Sequence, residues 1–99
     1  QVDIIRGQVL GTDSLPIANV LVTATTLSGN VSRTQRTDRN GRYTISFPGG
    51  EGDYWVTFSG IGLAPRRYQV KRTADQEILI ANARMAPAAI TLDAVQVTE

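Results

Sequence analysis

The chain has 99 residues, 41% of them hydrophobic and 19% charged, with 10 basic against 9 acidic side chains and neither Cys nor His. A chain of this length is one domain with one modest core, because it buries only ~65% of its extended surface. The missing Cys and His exclude disulfide scaffolds, thiol nucleophiles and the usual zinc ligands, and a net charge of +1 supplies no bulk field for nucleic acid or an anionic membrane.

In chain order the pattern has period two, the signature of half-buried strands. Ile5, Gly7 and Val9 alternate with Arg6 and Gln8, and Gly11-Thr12-Asp13-Ser14 with Pro16 closes that run. Val20, Val22 and Ala24 alternate with Leu21, Thr23 and Thr25, and Ser28-Gly29-Asn30 follows. A third run precedes Asp38-Arg39-Asn40-Gly41, read as a hairpin turn in which the Asp bonds forward and the Gly takes positive φ. Tyr43, Ile45 and Phe47 then alternate with Arg42, Thr44 and Ser46 up to the loop Pro48-Gly49-Gly50-Glu51-Gly52-Asp53. Tyr54, Val56 and Phe58 alternate with Trp55, Thr57 and Ser59, and Tyr68 and Val70 with Arg67, Gln69 and Lys71. The seventh run, Glu77 to Met85, is ambiguous: both faces are covered or a bulge switches register, with Leu79, Ala83 and Met85 inward near its end. Seven such runs, rich in β-branched and aromatic residues, predict an all-β chain of about seven antiparallel strands in two packed sheets.

After Met85 the character changes. Ala86-Pro87-Ala88-Ala89 reads as a linker, and Ile90 to Glu99 resumes a weak alternation through Leu92, Val95 and Val97. That stretch reads as further linker, as a final strand folded back on the sandwich, or as a strand lent to a partner's sheet edge. The expected organisation is a sandwich over 1–86 and a tail over 87–99. The start at Gln1, without initiator Met or apolar leader, fits a mature exported protein or a piece of a longer one. No apolar run approaches the ~18–20 residues of a membrane-spanning helix.

Few residues suggest chemistry. Asp13, Asp38, Asp53 and Asp93 are scattered, mostly in turns, and no Ser has a His to activate it, so no catalytic residue is expected. Asp38, Asn40 and Gly41 offer too few oxygen ligands for Ca²⁺, and the turn explains all three, so no metal is expected. Alternation drives Trp55 outward, where it stacks on a sugar or a partner, or else lies beneath Arg side chains or covers a neighbouring strand. Arg33, Arg36, Arg39 and Arg42 flank one hairpin, and Arg66, Arg67, Lys71 and Arg72 mark another strand. Both groups read as solvated faces, with an anionic envelope polymer or acidic partner as the sharper alternative. Trp55, Arg66 and Arg67 form a possible ligand surface. The basic residues lack the aromatic interleaving of nucleic-acid binders.

The motifs in order resemble the carboxypeptidase regulatory-like domains. Gly7-Gln8-Val9, Asp13 and Leu15-Pro16-Ile17-Ala18-Asn19-Val20 are similar to that family's opening, with Ala18 near where Gly is usual. Thr37-Asp38-Arg39-Asn40-Gly41-Arg42-Tyr43 resembles its T-D-x-x-G-x-[FY] stretch, and Pro48-Gly49-Gly50 with Asp53-Tyr54 its P-x-G-x-Y loop. Ser59-Gly60-Ile61-Gly62-Leu63 is similar to an S-x-x-G-Y variant, with Leu63 in place of the aromatic. The resemblance implies a transthyretin-like (prealbumin-like) Greek-key sandwich without cofactor. Related sandwiches include starch-binding modules, which makes a carbohydrate-binding or extracellular structural module the alternative reading. Leu92-Asp93-Ala94-Val95-Gln96-Val97-Thr98 resembles the L-x-E-V-V-V-T segment that joins such a domain to the plug of TonB-dependent outer-membrane receptors, with Ala94 and Gln96 as departures. That resemblance implies an exported domain at the periplasmic face of the outer membrane. It also implies two partners, a TonB-like periplasmic energising protein bound through residues 92–98 and the remainder of the receptor, with no nucleic acid and no small-molecule ligand expected. An intramolecular Lys–Asn cross-link, as in similar adhesin sandwiches, is not expected, because the single Lys, Lys71, lies in the sixth run.

Overall fold

A computed structural model describes residues 2–73 and 78–88. Its strands are β1 (Asp3–Gly11), β2 (Leu21–Thr26), β3 (Ser32–Arg36), β4 (Arg42–Phe47), β5 (Asp53–Ser59), β6 (Arg66–Lys71), β7 (Ile78–Ile80) and β8 (Ala83–Met85). One sheet has the order β4-β1-β7, with β8 also paired to β1; the other has the order β3-β2-β5-β6.

The two sheets form a sandwich whose interior is built from the alternating residues. Ile5, Val9, Tyr43, Ile45, Phe47, Leu79 and Met85 come from the first sheet, and Val22, Ala24, Tyr54, Val56 and Phe58 from the second, all buried. Ring contacts join the layers: Tyr43 meets Phe58 edge-on at 5.7 Å between centroids, and Phe47 meets Tyr54 in a tilted pair at 4.6 Å. Each fully buried side chain of this size contributes about 1.5–3 kcal/mol through removal from water. Tyr68 and Val70 are only partly covered, because β6 is a sheet edge.

Three expectations need correction. Asp38-Arg39-Asn40-Gly41 does not make a hairpin, because β3 pairs with β2 and β4 with β1, so the turn carries the chain from one sheet to the other. The sandwich is also not wholly antiparallel: β7 and β8 both run parallel to β1. Tight turns dictate antiparallel pairing only between consecutive strands of one sheet, and the chain changes sheet between β6 and β7. The seventh run, finally, is two short strands, so the described residues hold eight.

The split has a visible cause. The register of β1 is the same on both pieces, Arg6 opposite Ile80 and Val9 opposite Ala83. Between them the Ala81 carbonyl leans towards Gly7 and accepts the Tyr43 hydroxyl, while Asn82 Oδ1 accepts the Gln8 amide at 2.8 Å. A Cβ at position 7 would lie 2.1 Å from that carbonyl oxygen, so only Gly fits. Strict alternation still holds: Leu79, Ala81, Ala83 and Met85 are buried, and Ile78 and Ile80 face outward. The inward placement of Leu79, Ala83 and Met85 is as expected.

The family-like motifs acquire physical reasons. Thr37 is buried; its hydroxyl donates to Ile17 O at 2.7 Å and accepts from Val20 N at 3.0 Å, locking the Pro16–Val20 segment. Asp38 Oδ1 accepts from Asn40 N and Arg42 N, and Gly41 sits at φ 73°. In Pro16–Val20 the left-handed residue is Asn19 at φ 63°, which Asn tolerates, so Ala18 carries no strain.

Candidate functional site

Alternation on β5 turns Trp55 outward, beside Gln69 of β6 and Thr25 of β2. The Arg67 guanidinium lies 4.0 Å above its ring. This is the arrangement in which arginine covers the tryptophan, and it leaves the ring only half-exposed. Arg66 is on the opposite face. It pairs with inward-facing Phe58, stacks on Tyr68 at 5.3 Å and donates to Arg84 O across the sandwich. The expected surface of Trp55, Arg66 and Arg67 is therefore divided by the sheet, since neighbours on a strand point to opposite sides.

The arginine groups disperse in the same way. Arg33 faces inward over the Phe47 ring at 5.8 Å, and Arg36 donates to Asn19 O. Arg72 is not a solvated charge: it forms an ion pair with Asp3, the most deeply buried carboxylate among the described residues. Asp3 Oδ2 also accepts from Tyr54 Oη at 2.6 Å and Gly52 N at 2.8 Å. Burial pushes the Asp3 carboxyl up, but the bonds from Tyr54, Arg72 and Gly52 with the Arg72 charge outweigh it, and the group ionises below the ordinary carboxylate range. The Tyr54 hydroxyl is pushed up to about 12, first by burial and then by donation to Asp3. Gly50 closes the knot, since a Cβ there would lie 2.3 Å from Asp3 Oδ2. This knot ties the start of β1 to the β4–β5 loop and the end of β6. It is structural, and the sequence reading missed it. One signal was present: Asp3 shares the parity of Ile5 and Val9, which aims a carboxylate inward.

The other end of the sandwich holds the C-terminal exit. Ala64 N donates to Ala86 O at 2.9 Å, Ala88 N donates to Gly62 O at 2.8 Å, and Leu63 pairs with Pro87 between them. Residues 86–88, read as linker, are thus pinned antiparallel to the Gly62–Ala64 segment. Leu92, Asp93, Ala94, Val95, Gln96, Val97 and Thr98 lie outside the described residues.

With this geometry in view, the sequence matches the family described as "Carboxypeptidase regulatory-like domain" over residues 4–95. The chain belongs to that family. No curated protein matches it. Among solved structures it is similar to 3-chlorocatechol 1,2-dioxygenase from Rhodococcus opacus 1CP, with TM-score 0.69 and 12% identity, over 89% of this chain and 60% of that one. Catechol 1,2-dioxygenase from Pseudomonas arvilla C-1 aligns with TM-score 0.68 and 15% identity, over 91% and 53%. The dioxygenase domain of a dioxygenase carbohydrate-binding protein fusion from Streptomyces sp. SirexAA-E gives 0.65 and 14%, over 88% and 80%. At such identities the likeness is one of fold, and this chain spans about three-fifths of the first of these proteins.

Proposed function

We propose that this regulatory-like sandwich is a non-catalytic N-terminal periplasmic domain of a TonB-dependent outer-membrane receptor. In this reading it is a docking and spacing module that presents residues 92–98 to a TonB-like energising protein. The observation that carries the reading is the segment Leu92-Asp93-Ala94-Val95-Gln96-Val97-Thr98 placed four residues beyond Ala88. Ala88 is itself fixed to Gly62, so the segment begins within ~15 Å of a rigid anchor. Its alternating Val95 and Val97 suit addition to another protein's exposed sheet edge, where main-chain hydrogen bonds supply affinity. The absence of His and Cys from the sequence supports the non-catalytic part.

Deleting residues 92–98 from the parent chain tests the reading. The expected result is loss of TonB co-purification and of substrate uptake, with the sandwich still folded; undiminished binding and uptake would overturn it. The gene beyond Glu99 is a second test. A plug followed by some 20 or more alternating strand segments is expected, whereas tandem sandwiches or a protease domain would refute the assignment.

A further inference from the structure

We propose that the outward face of the β4-β1-β7 sheet carries a site for an acidic sugar, a hexose bearing a carboxylate or phosphate group. The register places two rows of three side chains across this face. Thr44, Arg6 and Ile80 form one row, and Arg42, Gln8 and Asn82 the other. Together they ring a depression of about 510 Å³ floored by the Gly7 and Tyr43 backbone. From strand spacing and rise the ring measures roughly 10 by 7 Å, the footprint of one monosaccharide.

The charge on this face is one-sided. Although the chain is nearly neutral, no outward position on β1, β4, β7 or β8 is Asp or Glu. Arg6 and Arg42 make no side-chain hydrogen bond or ion pair with the described residues. Asp38, at the turn before β4, feels the Arg42 charge but commits Oδ1 to the Asn40 and Arg42 amides. Two guanidiniums free of such bonds fit a carboxylate or phosphate through charge-assisted hydrogen bonds.

The other ring members suit hydroxyl groups. Asn82 Oδ1 is held by Gln8 N, which leaves its NH₂ as the available donor. Gln8 Nε2 is held by Asn40 O at 2.9 Å, which leaves its Oε1 as the available acceptor. Thr44 adds a hydroxyl, and exposed Ile80 offers an apolar wall for the C–H face of a sugar. The depression is larger than a bare oxyanion needs, and its amides have fixed orientations. Trp55 is the weaker sugar platform, since Arg67 already covers its ring.

The test is a titration of the ¹⁵N-labelled chain with galacturonic acid, galactose 6-phosphate, galactose and inorganic phosphate. Saturable shifts are expected at the Gly7 and Tyr43 amides and the Asn82 side-chain NH₂ with one or both acidic sugars. The stronger of those two arms identifies the acidic group. Neutral galactose is expected to bind at least tenfold more weakly. Replacing Arg6→Gln or Arg42→Gln should weaken binding about tenfold each, with the dispersion of the spectrum showing an intact fold. No saturable shift with either acidic sugar would overturn the proposal. So would equal binding of galactose, equal binding of inorganic phosphate alone, or shifts centred on Trp55.

Discussion

Replacing Asp3 by Asn keeps the size of the side chain and removes its charge. The carboxylate receives Arg72 on one oxygen and Tyr54 Oη and Gly52 N on the other. An amide has one acceptor oxygen and one donor nitrogen, so whichever way it turns, a donor faces a donor. Breaking a buried ion pair from one side costs about 3–5 kcal/mol. The Arg72 side chain keeps 20% exposure and can be partly rehydrated, which places the loss near the lower end, about 3 kcal/mol. Against a total of ~5–15 kcal/mol for a domain of this size, that is a large fraction. Urea unfolding at pH 7 should show a midpoint lower by about 2 M, and melting should occur about 15 °C lower. Arg72→Gln should cost a similar amount, and the double variant less than the sum, as expected of two groups in one network. A loss below about 0.5 kcal/mol for Asp3→Asn would refute the claim that this pair holds the end of β1, since that is the scatter of ordinary surface changes.

The same carboxyl sets an acid limb. Its folded pKa is depressed while the unfolded group titrates near ~3.9, so its contribution is complete above that value and is lost as pH falls through the folded one. Asp3→Asn should flatten that limb in a plot of unfolding free energy against pH. At the alkaline end the sign reverses. Burial raises the Tyr43 and Tyr54 hydroxyls, so stability present below the ordinary tyrosine pKa is lost as pH rises through the folded values, and absorbance at 295 nm should report those two ionisations together with unfolding. Gly50→Ala should destabilise by about 1–3 kcal/mol, the range for overpacking, because the added carbon meets the short, fully bonded side chain of Asp3; an unchanged melting temperature would count against the knot. Arg67→Ala should uncover Trp55 and shift its emission to the red with little change in stability, whereas an unshifted spectrum would show that the guanidinium does not shield the ring.

Local patterns were legible because they depend on neighbours in the chain. Period-two alternation marked Tyr43, Ile45, Phe47, Tyr54, Val56 and Phe58 as core, and all six are buried. The turn chemistry of Asp38 and Gly41 was equally readable, because an Asx bond and a positive φ need only a few residues. The all-β class and the family follow from such signals, and so does the outward turn of Trp55.

Partnership between distant segments was decided by tertiary structure. Whether a turn joins neighbours in one sheet or crosses between sheets depends on which strand lies alongside, so β3 and β4 separate although the turn between them is short. Parity alone could place Asp3 inside, but only the fold brings Arg72 to it from 69 residues away. The ring of Arg6, Arg42, Gln8, Thr44, Ile80 and Asn82 likewise draws two residues from β1, two from β4, one from β7 and one from the link between β7 and β8. Side-chain direction is a property of the local backbone, whereas a charge partner or a binding ring exists only once separate strands are in register.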